Sequence, residues 1–366
     1  MKRNYIKMWS QTRITTLLGI EYPIIQGPFG GGASSTKLAS TVSNLGGMGS
    51  YGMNHLTAPE IIEVNREIRT KTSKPYALNL WVSNKDEHAD EYSIEEYKKL
   101  CSLFKPWFDE LSIPIPEKPA GDGRRFEDQV QAVIDEKPPV LSFIFGIPSD
   151  DILNELRQKN IKLIGTATTV DEAVALEAAG VDAIVATGFE AGGHRASFIR
   201  SAEESLTGTF VLIPQIADNV KIPIIAAGGI ADGRGIAAAL TLGADAVQIG
   251  TAFLACEESN APPEHRAKLF SEDAKYTVLT KMFTGRLARS IKNKLSDEMR
   301  IHEYDFAPYP IQRTFFNVLR TAAINQGRTD LANFWSGQNA PGLKHKKAED
   351  LFHSLVSQTE GIYKRE

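Results

Sequence analysis

The 366-residue sequence predicts an α/β fold, a TIM-type (β/α)8 barrel, and three observations carry that prediction. Eight short apolar or β-branched runs recur along the chain, most followed by an amphipathic helical stretch, the alternation that builds a parallel sheet. Eight is also the number of strands that closes such a sheet on itself. Finally, Ala179-Gly-Val-Asp-Ala183 ahead of the sixth run is echoed by Leu242-Gly-Ala-Asp-Ala246 ahead of the eighth, as a repeated helix–strand junction requires. The alternative is an open doubly wound sheet, but no G-x-G-x-x-G fingerprint follows any of the runs.

Tyr22–Gln26 is the first strand and breaks at Gly27-Pro28-Phe29-Gly30-Gly31-Gly32. Ser34–Leu45 reads as a helix with Leu38, Val42 and Leu45 on one face, and Gly46–Ser50 as a second short strand. Thr57-Ala-Pro-Glu60 has the spacing of a capping box and opens a helix carrying Ile61, Val64 and Ile68. Tyr76–Val82 is the third strand. Residues 83–137 then break the rhythm: charged, with Pro106, Pro114, Pro116 and Pro119 and a helical stretch around Ile94–Phe108, they read as an insertion over one end of the core. Val140–Gly146 and Lys162–Ala167 are strands four and five, with a helix from Ser149 between them. Thr169-Val-Asp-Glu172 repeats the capping-box spacing, and Gly180 closes that helix. The sixth strand is the apolar run from Ala183, the seventh Pro223–Gly229 and the eighth Ala246–Thr251, with an Ala-rich helix, Arg234–Leu242, between the last two.

A chain of this length is long for one core, but a barrel with an insertion reaches it, so residues 1–366 are expected to form one domain. The net charge of −4 argues against a general nucleic-acid binder. Cys101 and Cys256, far apart, exclude a disulfide framework. With no signal-peptide pattern and no long apolar run, a cytoplasmic enzyme without membrane partners is expected, as a monomer or homodimer.

The chemistry is expected at the strands' carboxyl ends. Ala183–Ala186 delivers Gly192-Gly193-His194: two glycines that let backbone N–H groups approach a ligand, beside the side chain that titrates near neutrality. The other reading is a bare turn with a surface histidine. Gly228-Gly229 and Gly250-Thr251 end strands seven and eight, where such barrels commonly seat a phosphate. Asn79 and Gln248 are polar residues inside apolar strands, each either locked in a core network or offered to a ligand. No residues have metal-ligand spacing and no nucleophile elbow is present, so the phosphate is expected to belong to a cofactor; one phosphate site suits a mononucleotide such as FMN. Trp335 reads as a buried anchor and Tyr309, between two prolines, as packing.

Nine stretches together resemble a known family: Pro23-Ile-Ile-Gln-Gly-Pro28, Asn79 within ALNLWV, Ser142-Phe-Ile-Phe-Gly-Ile-Pro148, Glu190-Ala-Gly-Gly-His194, Ala226-Ala-Gly-Gly-Ile230, Gln248-Ile-Gly-Thr251, Thr284-Gly-Arg-Leu-Ala-Arg289, Pro308-Tyr-Pro310 and Trp335-Ser-Gly-Gln338. The chain is similar to the nitronate monooxygenases, formerly called 2-nitropropane dioxygenases, of the bacterial class I type. The two glycine loops are shared with many phosphate-binding barrels, such as inosine monophosphate dehydrogenase, whereas Glu-Ala-Gly-Gly-His and Trp-Ser-Gly-Gln are more particular. The resemblance implies oxidation of alkyl nitronates, propionate 3-nitronate above all, by O2 without NAD(P)H, in one-electron steps through a flavin semiquinone. It implies FMN contacts from Gly27, Pro28, Phe29, Asn79, Gly192, Gly193, Gly228, Gly229, Gln248, Ile249, Gly250 and Thr251. His194 would be the catalytic residue, stabilising the nitronate as a cationic or donating imidazole, and a segment over 275–340, with Tyr309, would cover the substrate. Thr187 departs from the family's usual glutamine. Two competing readings are an NAD(P)H-dependent flavin reductase, such as an enoyl-acyl-carrier-protein reductase, and a non-catalytic flavin-binding protein.

Overall fold

The computed structural model describes residues 9–83, 85–119 and 125–364. Parts of the expected insertion, residues 84 and 120–124, therefore lie outside the described residues. The strands are β1 (Ile24–Gln26), β2 (Gly49–Gly52), β3 (Tyr76–Trp81), β4 (Val140–Ile144), β5 (Lys162–Ala167), β6 (Ala183–Thr187), β7 (Gly193–His194), β8 (Ile224–Ala227) and β9 (Ala246–Ile249), followed by β10 (Thr277–Thr280) and β11 (Ala288–Ile291). All but β7, β10 and β11 form one parallel sheet in the order β1-β9-β8-β6-β5-β4-β3-β2. Its two edges meet: Met48 donates to the Ile24 carbonyl at 3.0 Å and accepts from Gln26 N–H at 2.9 Å. The ring is closed, and the fold is a (β/α)8 barrel. Gly47-Met-Gly-Ser-Tyr-Gly52 spells G-x-G-x-x-G, yet its second half is β2 itself and leads into no phosphate-binding helix.

Strand periodicity sorts the side chains into two cores. Ile184, Ala186, Ile224 and Ala226 pack outward under the helices, while Ala183, Val185, Ile225 and Ala227 point into the barrel with Ile25, Ala77, Val140 and Ile164. Ile14 and Leu18, from the helix Arg13–Leu18, join this inner group and plug the end away from the cavity. The repeated aspartates have one shared task. Asp182 N–H donates to the Leu163 carbonyl and its carboxylate accepts from Leu163 N–H, both at 2.9 Å. Asp245 does the same to Ile224, at 2.7 and 3.0 Å. Each aspartate locks the start of one strand to the one before it.

The capping box at Thr57–Glu60 forms, with Glu60 accepting from Thr57 N–H at 2.7 Å. At Thr169 only half of one forms. Thr169 accepts from Glu172 N–H, but the fully buried Glu172 carboxylate turns to Thr168 and to the Phe198 and Ile199 N–H groups. The tertiary demand of a buried loop outweighs the local cap.

Two excursions leave the strand carboxyl ends. After β3, the helix Ile94–Glu110 packs Tyr97, Leu100, Phe104 and Phe108 against Phe315, Phe316 and Leu319 of the helix Ile311–Asn325, making a second core outside the barrel. The helix Phe126–Glu136 instead lies on the barrel wall, against Ala58–Lys71. After β9 the chain makes β10, β11 and Ile311–Asn325 before the helix Ala348–Tyr363 returns to pack on Gly233–Thr241 and Thr36–Asn44. No helix among the described residues is long and apolar enough to cross a membrane.

Candidate active site

A cavity of about 650 Å³ opens over the carboxyl ends of the barrel strands. Its floor follows from the two-residue strand period. Moving up from the inward-facing Ala77, Val140, Ile164, Val185 and Ala246, the next inward residues are Asn79, Ser142, Thr166, Thr187 and Gln248, all on the cavity. The barrel interior thus changes from apolar to largely polar in one layer, with Ala227, in register with Thr187 and Gln248, the apolar exception. Asn79 Nδ2 donates to Ser142 Oγ at 2.9 Å, so the two buried groups satisfy each other at the floor.

Of the residues expected at a cofactor, Gly27, Pro28, Phe29, Asn79, Gly192 and Gly193 line this cavity, as do Gly228, Gly229, Gln248, Gly250 and Thr251. Ile249 is the exception, with its side chain in the outer core. Gly192 has a different reason for being glycine than ligand approach. A Cβ there would stand 2.6 Å from Gly337 N and from the Ser336 carbonyl carbon, where the C-terminal Trp335-Ser-Gly-Gln338 stretch crosses the loop. At Gly229 it is the backbone that demands glycine, with φ +71°.

The loop from Thr187 to Arg195 is held at every step. Glu190 accepts from Thr209 N–H at 2.9 and 3.0 Å, tying the loop to the start of the helix Thr209–Ala217. The buried Arg195 donates to the Thr187, Gly188 and Ser205 carbonyls at 3.1, 2.7 and 3.0 Å. Arg289 donates to the Phe189 carbonyl at 3.0 and 2.8 Å. Gly193 and His194 then pair as β7 with β11, antiparallel, in register with Arg289 and Ala288.

His194 Nε2 lies 2.9 Å from Thr284 Oγ1, whose hydroxyl also lies 3.1 Å from the Arg286 carbonyl; Nδ1 has no hydrogen-bond partner among the described residues. The ring is boxed by Trp81, Trp335, Phe145 and Tyr309, at centroid distances of 5.1, 5.5, 6.2 and 6.5 Å. Burial, followed by the nearby Arg286 and Arg313, pushes its pKa down to about 3. The imidazole is therefore neutral at physiological pH. This corrects the cationic form offered from the sequence and leaves the donating one.

Tyr309 is 3% exposed and sits behind that ring rather than on the cavity surface, packed in one buried cluster with Trp81 and Phe145. Arg286 caps this aromatic group, 4.3 Å from the Phe145 ring and 4.6 Å from Tyr309, and is held by Asp86 at 2.7 Å. Trp335 is half-buried on the cavity face; its buried neighbour Phe334 is the anchor. Phe283, Thr284, Arg313, Phe316, Asn333 and Trp335 bring the 275–340 segment to the cavity. Asn54 Oδ1 and Asn333 Oδ1, buried on its wall, have no hydrogen-bond partner among the described residues.

The features that would receive a phosphorylated mononucleotide are present. The N–H groups of Gly229 and Thr251 donate to nothing else among the described residues, and a Cβ at Gly250 would meet no protein atom within 4 Å. Among the described residues no carboxylate lines the cavity, and none form a cluster able to hold a metal ion. The residues fit such a group.

Fold and site together define a (β/α)8-barrel enzyme with a cavity over its glycine-rich strand tops and a neutral histidine on that cavity. The sequence model of the nitronate monooxygenase family matches residues 11–358, and the chain belongs to that family. It is 40% identical to a probable nitronate monooxygenase of Staphylococcus aureus (strain MSSA476) over 97% of this chain and 99% of that protein. Among solved structures it is similar to a nitroalkane oxidase from Streptomyces ansochromogenes, with a TM-score of 0.87, 32% identity, and 95% and 98% of the two chains covered. It is also similar to FabK from Thermotoga maritima, with a TM-score of 0.75, 30% identity, and 97% and 98% covered. The protein is an oxidoreductase acting on a small molecule, in a family of flavin-dependent enzymes.

Proposed function

We propose that the protein binds FMN and oxidises alkyl nitronates of the propionate 3-nitronate type with O2, without NAD(P)H. The observation that carries this reading is the meeting, on one cavity, of His194 with the glycine-rich tops of the last two barrel strands. In this reading Gly228, Gly229, Gly250 and Thr251 hold the phosphate through backbone N–H groups. Gly27, Pro28, Phe29, Asn79, Gly192, Gly193 and Gln248 frame the ring system, and Ile249 acts only through its backbone. When bound, the flavin accepts electrons from the nitronate and hands them to O2.

The chain's own part is to place the anion. In this reading Thr284 gives its single proton to His194 Nε2 rather than to the Arg286 carbonyl, which leaves Nδ1–H as a donor to a nitronate oxygen. A neutral donor binds the anion without a competing proton transfer. The aromatic box limits the water that reaches the ring, and the 275–340 segment covers the substrate.

The test is the purified protein's visible spectrum, followed by anaerobic mixing first with NADH and then with propionate 3-nitronate. Bleaching by the nitronate alone is expected. A colourless protein that stays colourless with excess FMN refutes the cofactor, and rapid bleaching by NADH supports the NAD(P)H-dependent enoyl-reductase reading instead. In the same assay His194→Asn should keep its flavin and lose most nitronate turnover.

A further inference from the structure

Asp86 and Arg286 stand behind the rings that box His194, and neither lines the cavity. They come from the two separate excursions, Asp86 from the one after β3 and Arg286 from the turn between β10 and β11. Arg286 donates Nε–H to Asp86 at 2.7 Å, Nη1–H to the Ser83 carbonyl at 3.0 Å and Nη2–H to Ser83 Oγ at 3.2 Å. The other Asp86 oxygen accepts from Tyr309 N–H at 2.9 Å, and Asp86 N–H donates to the Tyr309 carbonyl at 3.0 Å. Three stretches of chain thus meet on one ion pair, whose arginine side chain is 10% exposed. A nearly buried ion pair contributes little net stability, and what it gives in return is a fixed geometry.

That geometry reaches His194 by two routes. The guanidinium lies 4.3, 4.6 and 5.8 Å from the ring centres of Phe145, Tyr309 and Trp81, three of the four rings around the imidazole. Phe145 takes a φ of +61°, costly for a residue with a Cβ, at the point where its ring lies under the guanidinium. By the second route, Arg286 N–H donates to Thr284 Oγ1 at 3.3 Å, and that hydroxyl lies 2.9 Å from His194 Nε2. Gly285 seats this turn against the 307–309 backbone, where a Cβ would stand 2.5 Å from the Ala307 carbonyl oxygen and 2.6 Å from Tyr309 N.

We infer that Asp86 and Arg286 act as one positioning unit for His194. The carboxylate holds the guanidinium on the outer side of the rings, and the rings with Thr284 hold the imidazole in a single orientation and tautomer. What His194 does in that orientation rests on the nitronate reading above; the unit itself does not.

The test is the ring-nitrogen NMR spectrum of the histidines in the flavin-loaded protein at pH 7, with His194 assigned by the signals lost in His194→Gln. The wild type should show one tautomer, protonated at Nδ1. Arg286→Met should show averaged signals of both tautomers and lower kcat for propionate 3-nitronate about tenfold, with KM moved less than about threefold and flavin content unchanged. Arg286→Lys keeps a cation over the rings and should keep the wild-type tautomer. Asp86→Asn, at a partly exposed position, should repeat the Arg286→Met spectrum. The double variant should lose no more than Arg286→Met alone, as members of one unit do. Mixed tautomers already in the wild type, a single tautomer retained in Arg286→Met and Asp86→Asn, or losses that multiply in the double variant overturn the inference. If the wild type turns over no nitronate while its tautomer still depends on Arg286, the nitronate reading fails and the positioning unit stands.

Discussion

Acidification should destabilise this protein through two histidines buried in the neutral state. His265 is 4% exposed, donates Nε2–H to the Trp335 carbonyl at 2.8 Å, and has its pKa pushed down to about 4, by burial first and then by Arg320 and Arg266. His194 is pushed down to about 3. The unfolded chain takes up these protons near pH 6.5 and the folded chain does not, so stability is intact above that pH and falls as the pH drops towards each folded value. Between pH 7 and pH 5, His265 should contribute a loss of about 2 kcal/mol. His194 borders the cavity and keeps some contact with water, so its share is at most about 2 kcal/mol. Together that is a large fraction of a typical stability and, for a chain of this length, corresponds to a fall in Tm of about 5 °C. Glu303 works the other way, because burial raises its pKa and the folded state gains from its protonation. The quantity to read is therefore the difference between wild type and variants. Thermal melts of wild type, His265→Gln and His194→Gln at pH 7, 6 and 5, with flavin content held equal, should show the steepest acid slope in the wild type. Parallel slopes in all three would refute the reasoning.

Three further outcomes follow from the same geometry. Gly229→Asp combines a positive φ with a carboxylate beside the proposed phosphate, and should leave the purified protein without flavin by absorbance. Gly192→Ala pushes a methyl group against the Gly337 backbone and should cost about 1–3 kcal/mol in a denaturant titration, with turnover falling as the loop shifts; an unchanged midpoint would show that the Trp335–Gln338 crossing yields freely. Thr284→Val removes the partner that sets the His194 tautomer and should lower kcat/KM for the nitronate about tenfold at unchanged flavin content.

The barrel was legible because each strand announces itself locally. Val140–Ile144, Lys162–Ala167 and Ala183–Thr187 are short apolar runs bounded by turns, and the Gly-x-Asp repeat marks two of the junctions. The polar floor was half legible: Asn79 and Gln248 stand out in the sequence, while Ser142, Thr166 and Thr187 become visible only once all strands are aligned on the inward phase. The pairing of Gly193–His194 with Ala288–Ile291 was not legible at all, because two residues carry no strand period and the partner lies far along the chain. Nor was the role of Gly192, which is set by the Ser336–Gly337 backbone rather than by anything near it in sequence. Arg313, Asn317 and Arg320 had a readable signal, a polar stripe opposite Phe315 and Leu319, but nothing local says that the stripe faces a cavity instead of solvent.

The aromatic core between Ile94–Glu110 and Ile311–Asn325 is separate from both cores of the barrel. The segment that carries half of it is tied to the barrel through the β7–β11 pairing, the Arg289–Phe189 hydrogen bonds and Gly337 N–H on Thr251 Oγ1. A unit with its own apolar interior has its own melting behaviour. Loosening Phe104 or Phe315 would thus cost the enzyme its ceiling while the staves beneath stayed closed, so catalysis and foldedness can be lost at different temperatures.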